Sequence, residues 1–211
     1  MKTLLINGSP NKNGGTFIAL SNVAKALEEE GIETEIMQFP RDPIAGCISC
    51  FACRKSRSGR CVYNDDIVNV IIEKIENADA LVLGSPVYYA APDGHFLAAL
   101  DRVFFAGSSA FAGKPAAAVC VARRAGTTST LDVLQKYFNI SGMPIAGSNY
   151  WAMAFGHGED EVEQDGEGIQ IMQFLGRNIA WMLKCFEAGK KAGIEYPELP
   201  GGKKVRTNFI R

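Results

Sequence analysis

The sequence has no long apolar run and no excess of charge of either sign. No stretch approaches about 18 consecutive apolar residues, the length that a membrane-spanning helix needs. The apolar start at Met1–Ile6 is too short for the core of a signal peptide. The 22 Lys and Arg residues are balanced by 23 Asp and Glu residues, so the net charge is −1. We therefore expect no nucleic-acid partner and no membrane attachment.

Two common phosphate-binding signatures are also missing. No Gly-Lys-Ser/Thr occurs, which argues against a Walker A loop. No Gly-x-Gly-x-x-Gly occurs either, which argues against the usual dinucleotide fingerprint. If the chain holds a nucleotide, it must do so with a different loop.

Cysteine, by contrast, is concentrated in one place. Four of the six cysteines fall within fifteen residues, at Cys47, Cys50, Cys53 and Cys61. This compact spacing favours a [4Fe–4S] cluster over zinc, because a second Cys or His pair at zinc spacing is missing. Free thiols, or thiols that have lost a cluster, remain open as alternatives. Thiols in a chain without an export signal predict the reducing cytoplasm.

The other two cysteines fall within regular apolar patterns. Cys120 lies mid-strand and Cys185 mid-helix in the predicted secondary structure. We expect both to be buried, because a free cysteine packs as a small hydrophobic residue.

Short apolar runs alternate with helical patterns along the chain. The predicted strands are Thr3–Ile6, Glu33–Phe39, Ala80–Leu83 and Ala116–Ala122, with a fifth that begins at Met143–Ala146 and resumes near Tyr150–Ala154. The predicted helices are Thr16–Glu30 with a stop at Gly31, one capped by Asp65 or Asp66 with Ile67, Val70, Ile71 and Ile75 inward, His95–Phe105, Thr130–Asn139, and Ile169–Ala188 with a stop at Gly189. This alternation predicts an α/β domain over residues 1–190, with an irregular C-terminal extension over 191–211.

Ligands of such sheets bind at the carboxyl ends of the strands. The loop after the first strand runs from Asn7 to Thr16 and opens a helix, whose free N–H groups suit a phosphate. Its side chains add donors at Ser9, Asn11, Asn13 and Thr16. A polar turn that merely caps the helix is the alternative.

Two further loops follow the third and fourth strands. Pro86-Val87-Tyr88-Tyr89 offers a stiff, aromatic edge suited to a flat heterocycle, although a turn with surface tyrosines would read the same way. Arg123 to Gly126 offers backbone amides and arginine side chains, which suit an anion or are solvated surface charges.

The order of these motifs resembles one family. Gly8-Ser9-Pro10, then Gly14-Gly15-Thr16, the cysteine quartet, Asn64-Asp65-Asp66, the run Ala78 to Tyr89 and Leu100-Asp101-Arg102 are similar to the NADPH-dependent FMN reductase family of flavodoxin-like folds. More narrowly, the chain resembles its iron–sulfur flavoprotein branch. The resemblance covers roughly residues 1–150.

The resemblance implies a flavodoxin-like three-layer sandwich with a central five-stranded parallel sheet. It implies FMN as the cofactor, bound by Ser9, Asn11, Asn13, Gly15, Thr16, Phe17, Pro86, Val87, Tyr88, Tyr89, Arg123 and Gly126. The four clustered cysteines (residues 47–61, within a loop over 40–64) would ligate a cluster. No catalytic side chain is expected, because the flavin carries the chemistry.

Two functions follow from this resemblance. The first is an FMN-dependent oxidoreductase that passes electrons from NAD(P)H, as co-substrate, to a small acceptor such as a quinone or a flavin. The alternative is an iron–sulfur flavoprotein that transfers electrons from a ferredoxin-like donor without nicotinamide turnover. In either case the resemblance implies a homodimer or homotetramer.

Overall fold

The computed structural model describes residues 1–199 together with Gly202, Val205, Thr207 and Phe209. Five parallel strands form one sheet in the order β2-β1-β3-β5-β6, and a short strand, β4, pairs antiparallel with β3. The strands are β1 (Lys2–Asn7), β2 (Glu33–Gln38), β3 (Ala80–Tyr88), β4 (Ala91–Pro92), β5 (Ala116–Ala122) and β6 (Met153–Phe155). The predicted five-stranded parallel sheet is therefore confirmed, with one small antiparallel addition.

Helices cover both faces of the sheet. They are α1 (Gly15–Glu29), α2 (Ala52–Ser56), α3 (Val68–Glu76), α4 (Gly94–Gly107), α5 (Thr127–Ile140), α6 (Glu159–Gln164) and α7 (Gly166–Lys191). In β1, Leu4 and Ile6 pack into the core under α3, α4 and α5, whereas Leu5 packs into the core under α1 and α7. Because side chains alternate between faces, a strand buried on both sides needs the continuous apolar run seen in the sequence.

Glycine in the left-handed region ends the two helices of the α1–α7 layer. Gly31 has φ +78° after α1, and the Ile32 amide donates to the Leu27 carbonyl at 3.0 Å, as predicted for this stop. The predicted stop at Gly189 is wrong, because Gly189 lies inside α7. Gly193 has φ +80°, and the Ile194 amide donates back to the Gly189 carbonyl at 2.9 Å.

The apolar face of α3 also differs from the prediction. The N-cap residue of α3 is Ile67, without a side-chain cap, so the predicted cap at Asp65 or Asp66 is wrong by a residue; Asp66, just before it, accepts a hydrogen bond from the Val68 amide at 3.0 Å. Ile71 and Ile75 are buried as expected, and Ile67 is partly buried, but Val70 is 43% exposed. Ile72 takes the inward position instead, because the helix begins at Val68 and its buried stripe follows that start.

Strand β3 is longer than its apolar run. The run predicts a strand that ends at Leu83 and a loop over Pro86–Tyr89, but β3 continues to Tyr88 and turns into β4. Tyr89 and Ala90 form that turn, with φ +51° and +59°, both in the left-handed region. Two consecutive left-handed residues match a type I′ hairpin turn, in which Asn-Gly is the usual pair.

The C-terminal segment after α7 carries no helix or strand over residues 194–199. The Tyr196 hydroxyl donates to the Gly142 carbonyl at 2.9 Å, so the start of this segment lies on the fold. Most of the predicted extension beyond residue 199 falls outside the described residues, and the domain boundary stays a prediction. No helix within the described residues is long and apolar enough to cross a membrane.

Candidate functional site

The strand order places a crevice at the carboxyl ends of β1 and β3. From β1 the chain moves outward to β2 and then returns to the other side at β3, so the two connections diverge there. The Gly8 amide donates to the Gly84 carbonyl at 2.8 Å across this point. A Cβ on Gly8 would lie 2.3 Å from the Phe96 ring, and one on Gly84 would lie 2.8 Å from Leu20. The repeated Gly-Ser-Pro motif thus reflects close packing at both strand ends.

Helix α1 begins here without a side-chain cap. Gly14 is the N-cap residue in an extended conformation, with no side-chain hydrogen bond to the first turn. The early amides of α1 therefore have no side-chain acceptor. Such a helix start attracts a phosphate through its N–H groups and its dipole.

Asn7 at the start of this loop and two side chains from outside it hold it in shape. The Asn7 amide nitrogen donates to Gln38 Oε1 at 2.7 Å, and Gln38 Nε2 donates to the Ser9 carbonyl at 2.7 Å. Arg41 Nε donates to the Pro10 carbonyl at 2.6 Å. Gln38 and Arg41 were not predicted from the sequence, in which the only signal was a polar residue at the end of β2.

A cavity of about 550 Å³ lies beside this loop. The loop and the segment that follows β2 contribute one wall, and the segment around α6 contributes the other; the lining residues are Asn11, Lys12, Asn13, Gly14, Arg41, His157, Gly158, Asp160 and Glu161. Helix α6 packs closely against α1, because a Cβ on Gly15 would lie 2.7 Å from Val162. The cavity thus combines the uncapped start of a helix with two cationic side chains on one wall and two acidic side chains on the other.

The hairpin and the loop after β5 contact each other. A Cβ on Gly126, which has φ +88°, would lie 2.7 Å from the Ala90 Cα and 2.9 Å from Val87. The Ser129 hydroxyl donates to the Ala90 carbonyl at 2.6 Å. Tyr89 is fully exposed and Tyr88 is 42% exposed. Partial burial, together with the charge of Asp93, raises the pKa of Tyr88, so this phenol stays neutral.

Arg123 faces a different cavity, of about 310 Å³. That cavity is lined by Arg123, Phe155, Gly156, Glu161, Gln164 and Asp165. It adjoins the cavity at the first loop, because Glu161 lines both. Arg123 therefore lies on the β6 side of the crevice rather than at the contact between Gly126 and the hairpin.

The four clustered cysteines share a third cavity. Cys47, Cys50, Cys53 and Cys61 all line it, and Arg102 and Phe105 of α4 form its floor. Cys47 and Cys50 are exposed, whereas Cys53 and Cys61 are half-buried. Within the described residues, no three Cys, His, Asp or Glu side chains are arranged as a group that could hold a metal ion. The thiols thus face one space without forming a closed cage.

The comparisons with known proteins bear directly on these sites. Residues 1–158 match the family model described as NADPH-dependent FMN reductase. The chain belongs to the NADPH-dependent FMN reductase family. An iron–sulfur flavoprotein of Methanocaldococcus jannaschii is 30% identical over 197 residues, which cover 89% of this chain and 100% of that protein. An iron–sulfur flavoprotein of Methanosarcina thermophila is 27% identical over 194 residues, covering 90% and 99%.

Solved structures agree on the fold of this family member. RosB with bound 8-demethyl-8-formylriboflavin-5′-phosphate has a TM-score of 0.67 and 16% identity, covering 100% of this chain and 92% of that chain. A flavodoxin from the domain Archaea has a TM-score of 0.60 and 15% identity, covering 87% and 99%. At these identities the likeness shows the flavodoxin-like fold alone. The family assignment makes the chain a member of a group of FMN-binding oxidoreductases.

In this FMN reductase family member, Arg102 secures the cysteine loop. Its Nε donates to the Cys61 Sγ at 3.3 Å, and its other nitrogens donate to the Ala45 and Tyr63 carbonyls at 3.1 Å each. It also forms a two-pronged ion pair with Asp66, although its side chain is only 1% exposed. Burial lowers the pKa of Arg102, but bonds to Asp66 and Cys61 outweigh it and the pKa is raised overall. Asp66 and Arg102 belong to two separate sequence motifs, and the fold joins them in one ion pair.

The cysteine and arginine side chains around this cavity are of the types that suit an iron–sulfur cluster. Cysteine thiolates are the ligands that such clusters use, and hydrogen bonds to sulfur, of the kind Arg102 makes, tune them. Ser49 and Phe51 have φ +54° and +58° on either side of Cys50, whose φ is not positive. Backbone that alternates in this way turns successive N–H groups toward an anion, as happens at many iron–sulfur sites.

The predicted flavin residues separate into three groups in the structure. Asn11 and Asn13 line the cavity at the first loop, next to Gly15 at the start of α1. Ser9 and Thr16 are 4% and 2% exposed, and the Ser9 hydroxyl accepts from the Asn11 amide at 3.1 Å, so Ser9 shapes the loop. Val87, Tyr88, Tyr89 and Gly126 lie together at the hairpin, with Pro86 in β3; Phe17 is half-buried in α1, and Arg123 lies apart.

The two remaining cysteines behave differently from each other. Cys120 is buried in β5, and burial raises the pKa of its thiol to about 12. The expectation that Cys185 is buried is wrong, because it lies on the exposed side of α7. A helix covers the sheet with only one stripe, and Leu183 and Ile179 occupy that stripe.

Proposed function

We propose that this protein is an FMN-dependent oxidoreductase that passes electrons from a reduced nicotinamide to a small acceptor such as a quinone or another flavin. The observation that carries the proposal is the uncapped start of α1 in a loop that Asn7, Gln38 and Arg41 hold in shape. A phosphate-binding loop with this support is formed before its ligand arrives. Little ordering then opposes binding, which favours affinity.

Different residues of the crevice would then bind different parts of FMN. The amides of Gly15 and Thr16 at the start of α1, with Asn11 and Asn13, would hold the phosphate. The Val87–Ala90 hairpin and Gly126 would border the ring. FMN, when bound, supplies the hydride and electron transfer, so the protein contributes position and electrostatics. The exposed tyrosines leave one side of this region open to a second flat molecule, as a nicotinamide or quinone would require.

A titration with FMN, followed by rapid mixing with NADH or NADPH, tests this proposal. We expect bound flavin that is bleached by at least one nicotinamide and reoxidised by a quinone. Replacing Asn7 with Leu removes the bond to Gln38 and is expected to weaken FMN binding about tenfold, the effect of about 1.4 kcal/mol. The matched control is Asn178→Leu, which removes a side-chain hydrogen bond from α7 to the Gly147 carbonyl. Failure to bind FMN at all would refute the proposal.

A second candidate function rests on the cysteine cavity. We propose that the four cysteines hold a [4Fe–4S] cluster and that the protein exchanges single electrons with a ferredoxin-like donor, without nicotinamide turnover. The placement of all four thiols around one space, with Arg102 bonded to Cys61, supports it. The names of the relatives point the same way.

Iron and sulfide analysis of anaerobically purified protein tests the cluster. We expect iron and sulfide in wild type and their loss on Cys50→Ala. Cys185→Ala is the matched control, because that thiol is exposed on α7, away from the cavity. Equal iron in both variants would show that the cavity is not the site. Bound FMN that neither nicotinamide reduces would favour this second function over the first.

We also propose a homodimer or homotetramer in the cytoplasm. Large aromatic side chains are exposed around α7, namely Tyr150 at 53%, Trp151 at 57% and Trp181 at 65%. Aromatic residues are enriched at the centres of subunit interfaces. Sedimentation velocity of the FMN-loaded protein tests the assembly, and a monomer at micromolar concentration would contradict it.

A further inference from the structure

The cavity beside the first loop has two walls of opposite charge. Lys12 and Arg41 line one wall, and Asp160 and Glu161 line the other, together with His157. We call the space between these five residues the α6 cavity. Its volume of about 550 Å³ lies within the range of small-molecule sites, about 300–1,000 Å³. A single phosphate group at the start of α1 would fill only a small part of it.

The opposite charges do not pair with each other across the cavity. Among the described residues, all the ion pairs involve other side chains. Arg41 instead donates its Nε to the Pro10 carbonyl and its Nη2 to Asn11 Oδ1, and the Glu161 carboxylate accepts from the His157 amide at 2.7 Å. Each wall therefore holds its own charged side chain in place. Fixed charges of both signs suit a ligand that carries an anionic group and hydroxyl donors together.

The α6 wall is part of the packed fold. Val162 is fully buried, and a Cβ on Gly156 or on Gly15 would lie 2.6 or 2.7 Å from it. Helix α6 is thus packed against the start of α1 by an apolar contact that leaves no room for a larger residue at either glycine. A cavity with such a wall is formed before its ligand arrives, which lowers the cost of binding.

The α6 cavity and the proposed ring site belong to opposite faces of the sheet. Val162 of α6 belongs to the core under α1 and α7, whereas Val87 of the hairpin packs against the core under α3, α4 and α5. Among the described residues that line the cavity, none belongs to the Val87–Ala90 hairpin. A mononucleotide with its phosphate at α1 and its ring at the hairpin therefore leaves the α6 cavity to another group.

We propose that the α6 cavity binds the adenosine diphosphate half of a dinucleotide. Lys12 and Arg41 face its diphosphate, because cationic side chains beside the uncapped start of a helix suit linked phosphates. The carboxylates of Asp160 and Glu161 accept hydrogen bonds from its ribose hydroxyls, a role that acidic side chains have in other dinucleotide sites. The cavity thereby supplies partners for both polar parts of this half.

Two dinucleotides carry this half to a flavin site. One is the reduced nicotinamide of the proposed function, bound beside FMN, and the other is FAD, bound in place of FMN. The inference rests on the proposed function, because only a flavin site at the hairpin gives the other half of the dinucleotide a place to lie. The two sources differ in one observable respect, which is whether adenosine diphosphate binds while FMN is present.

Two variants of the intact protein test the cavity. Lys12→Gln/Asp160→Asn removes one charge from each wall and leaves the net charge unchanged. Its matched control is Lys25→Gln/Asp132→Asn, which makes the same changes at exposed positions on α1 and α5. Gly158→Trp adds a ring at the cavity wall, where the backbone is extended and a Cβ meets nothing within 4 Å. Its control is Gly147→Trp, where a Cβ also meets nothing within 4 Å.

Calorimetry with ADP, on flavin-free and on FMN-loaded protein, measures binding. We expect both test variants to bind ADP about tenfold more weakly than wild type and both controls to match wild type, because a hydrogen bond to a charged group contributes enough for such a change. The affinity for FMN should stay the same in all four variants. Pyrophosphate is the second probe, and it should bind wild type more weakly than ADP, because it lacks the ribose hydroxyls.

The source of the dinucleotide follows from two further readouts. ADP binding to FMN-loaded protein, with a raised KM for NADH or NADPH and an unchanged kcat in the test variants, would assign the cavity to the nicotinamide nucleotide. ADP binding to flavin-free protein alone, with FAD bound about tenfold more tightly than FMN and this preference lost in the test variants, would assign it to FAD.

Several results would overturn the proposal. They are no ADP binding to either form of the protein, equal ADP affinity in test and control variants, or equal affinity for pyrophosphate and ADP, which would mean a site for anions only. FMN binding without ADP binding would remove this inference and leave the proposed function standing. Failure to bind FMN would refute the proposed function, whereas binding of ADP and FAD to flavin-free protein would still be measured.

Discussion

Replacing Arg102 with Met removes the hydrogen bonds that join the cysteine loop to α4. The guanidinium makes five hydrogen bonds, and they reach Ala45 before the cysteines and Tyr63 and Asp66 after them. Methionine keeps much of the apolar stem but none of the donors. The change therefore leaves the Asp66 carboxylate and two backbone carbonyls without their partner.

The size of the effect follows from burial. Removing one partner of a buried ion pair costs about 3–5 kcal/mol, because the other charge is stranded. Asp66 is 18% exposed, so water partly compensates it, and we expect about 3 kcal/mol from this pair. The carbonyl bonds act within the same network and do not simply add. A domain stable by about 5–15 kcal/mol would lose a large share of its stability.

Urea unfolding at a fixed excess of FMN measures this loss, because ligand concentration alone shifts the apparent stability. Arg177→Met is the matched control. Its guanidinium is 59% exposed and lies 3.7 Å from Glu29, so we expect about 0–1 kcal/mol. In an Asp66→Asn background, Arg102→Met should cost less, since no full charge is stranded. A loss below about 1 kcal/mol, or one equal to that of the control, would refute the reasoning.

Three further outcomes can be checked independently. Gly126→Val should weaken FMN binding and lower the free energy of unfolding by about 1–3 kcal/mol, because φ is +88° and a Cβ would meet the backbone of Ala90. Gly147→Val is the control and should have little effect, because a Cβ there meets nothing within 4 Å. Equal effects of the two substitutions would argue against the contact. Hydrogen bonds from Lys2 and then Lys74 lower the pKa of Glu35 below its ordinary value of 4.5, so Glu35 stabilises the fold above that pH and less as pH falls through the lowered pKa. The stability gap between wild type and Glu35→Gln should therefore shrink from pH 6 to pH 3, and a constant gap would contradict the pairing. Iodoacetamide at pH 8 should label Cys185 but not Cys120, whose pKa is raised to about 12; mass spectrometry showing rapid labelling of Cys120 in folded protein would count against its burial.

Local patterns were sufficient for the sheet and for most helix positions. The continuous apolar run in β1 predicted a strand buried on both faces, and Gly31 predicted the end of α1, because both signals lie within a few residues. The predicted helix end at Gly189 was wrong because a glycine can also lie inside a helix, about one turn before its end. Only the later positive φ of Gly193 distinguishes the true stop, and the sequence contains two glycines in suitable places.

Local sequence patterns could not predict the β3–β4 hairpin, for a different reason. A Tyr-Ala pair is a poor sequence signal for a type I′ turn, which usually uses Asn-Gly. The turn is instead held by distant contacts, from Ser129 to the Ala90 carbonyl and from Gly126 against Val87. Strain of this kind at a site rim is a known mark of functional regions.

The residues that support the two sites could not be predicted from local sequence either. Arg102 and Asp66 are far apart in sequence, and nothing local shows that one guanidinium serves both ends of the cysteine loop. Gln38 likewise ends β2 but acts on the loop after β1, because parallel pairing sets Asn7 opposite Gln38. Such partners depend on sheet register, which becomes visible only in the fold.

The arrangement around Arg102 has a consequence for how this protein could change over time. The cysteine loop is fastened to the body by Arg102 of α4 and by Asn69 and Glu76 of α3, whereas the loop beside α1 is fastened by side chains of β1 and β2. The two attachments share no residue. Substitutions in one region can therefore accumulate without disturbing the other, so the cysteine loop could change in sequence while the crevice beside α1 stays as it is.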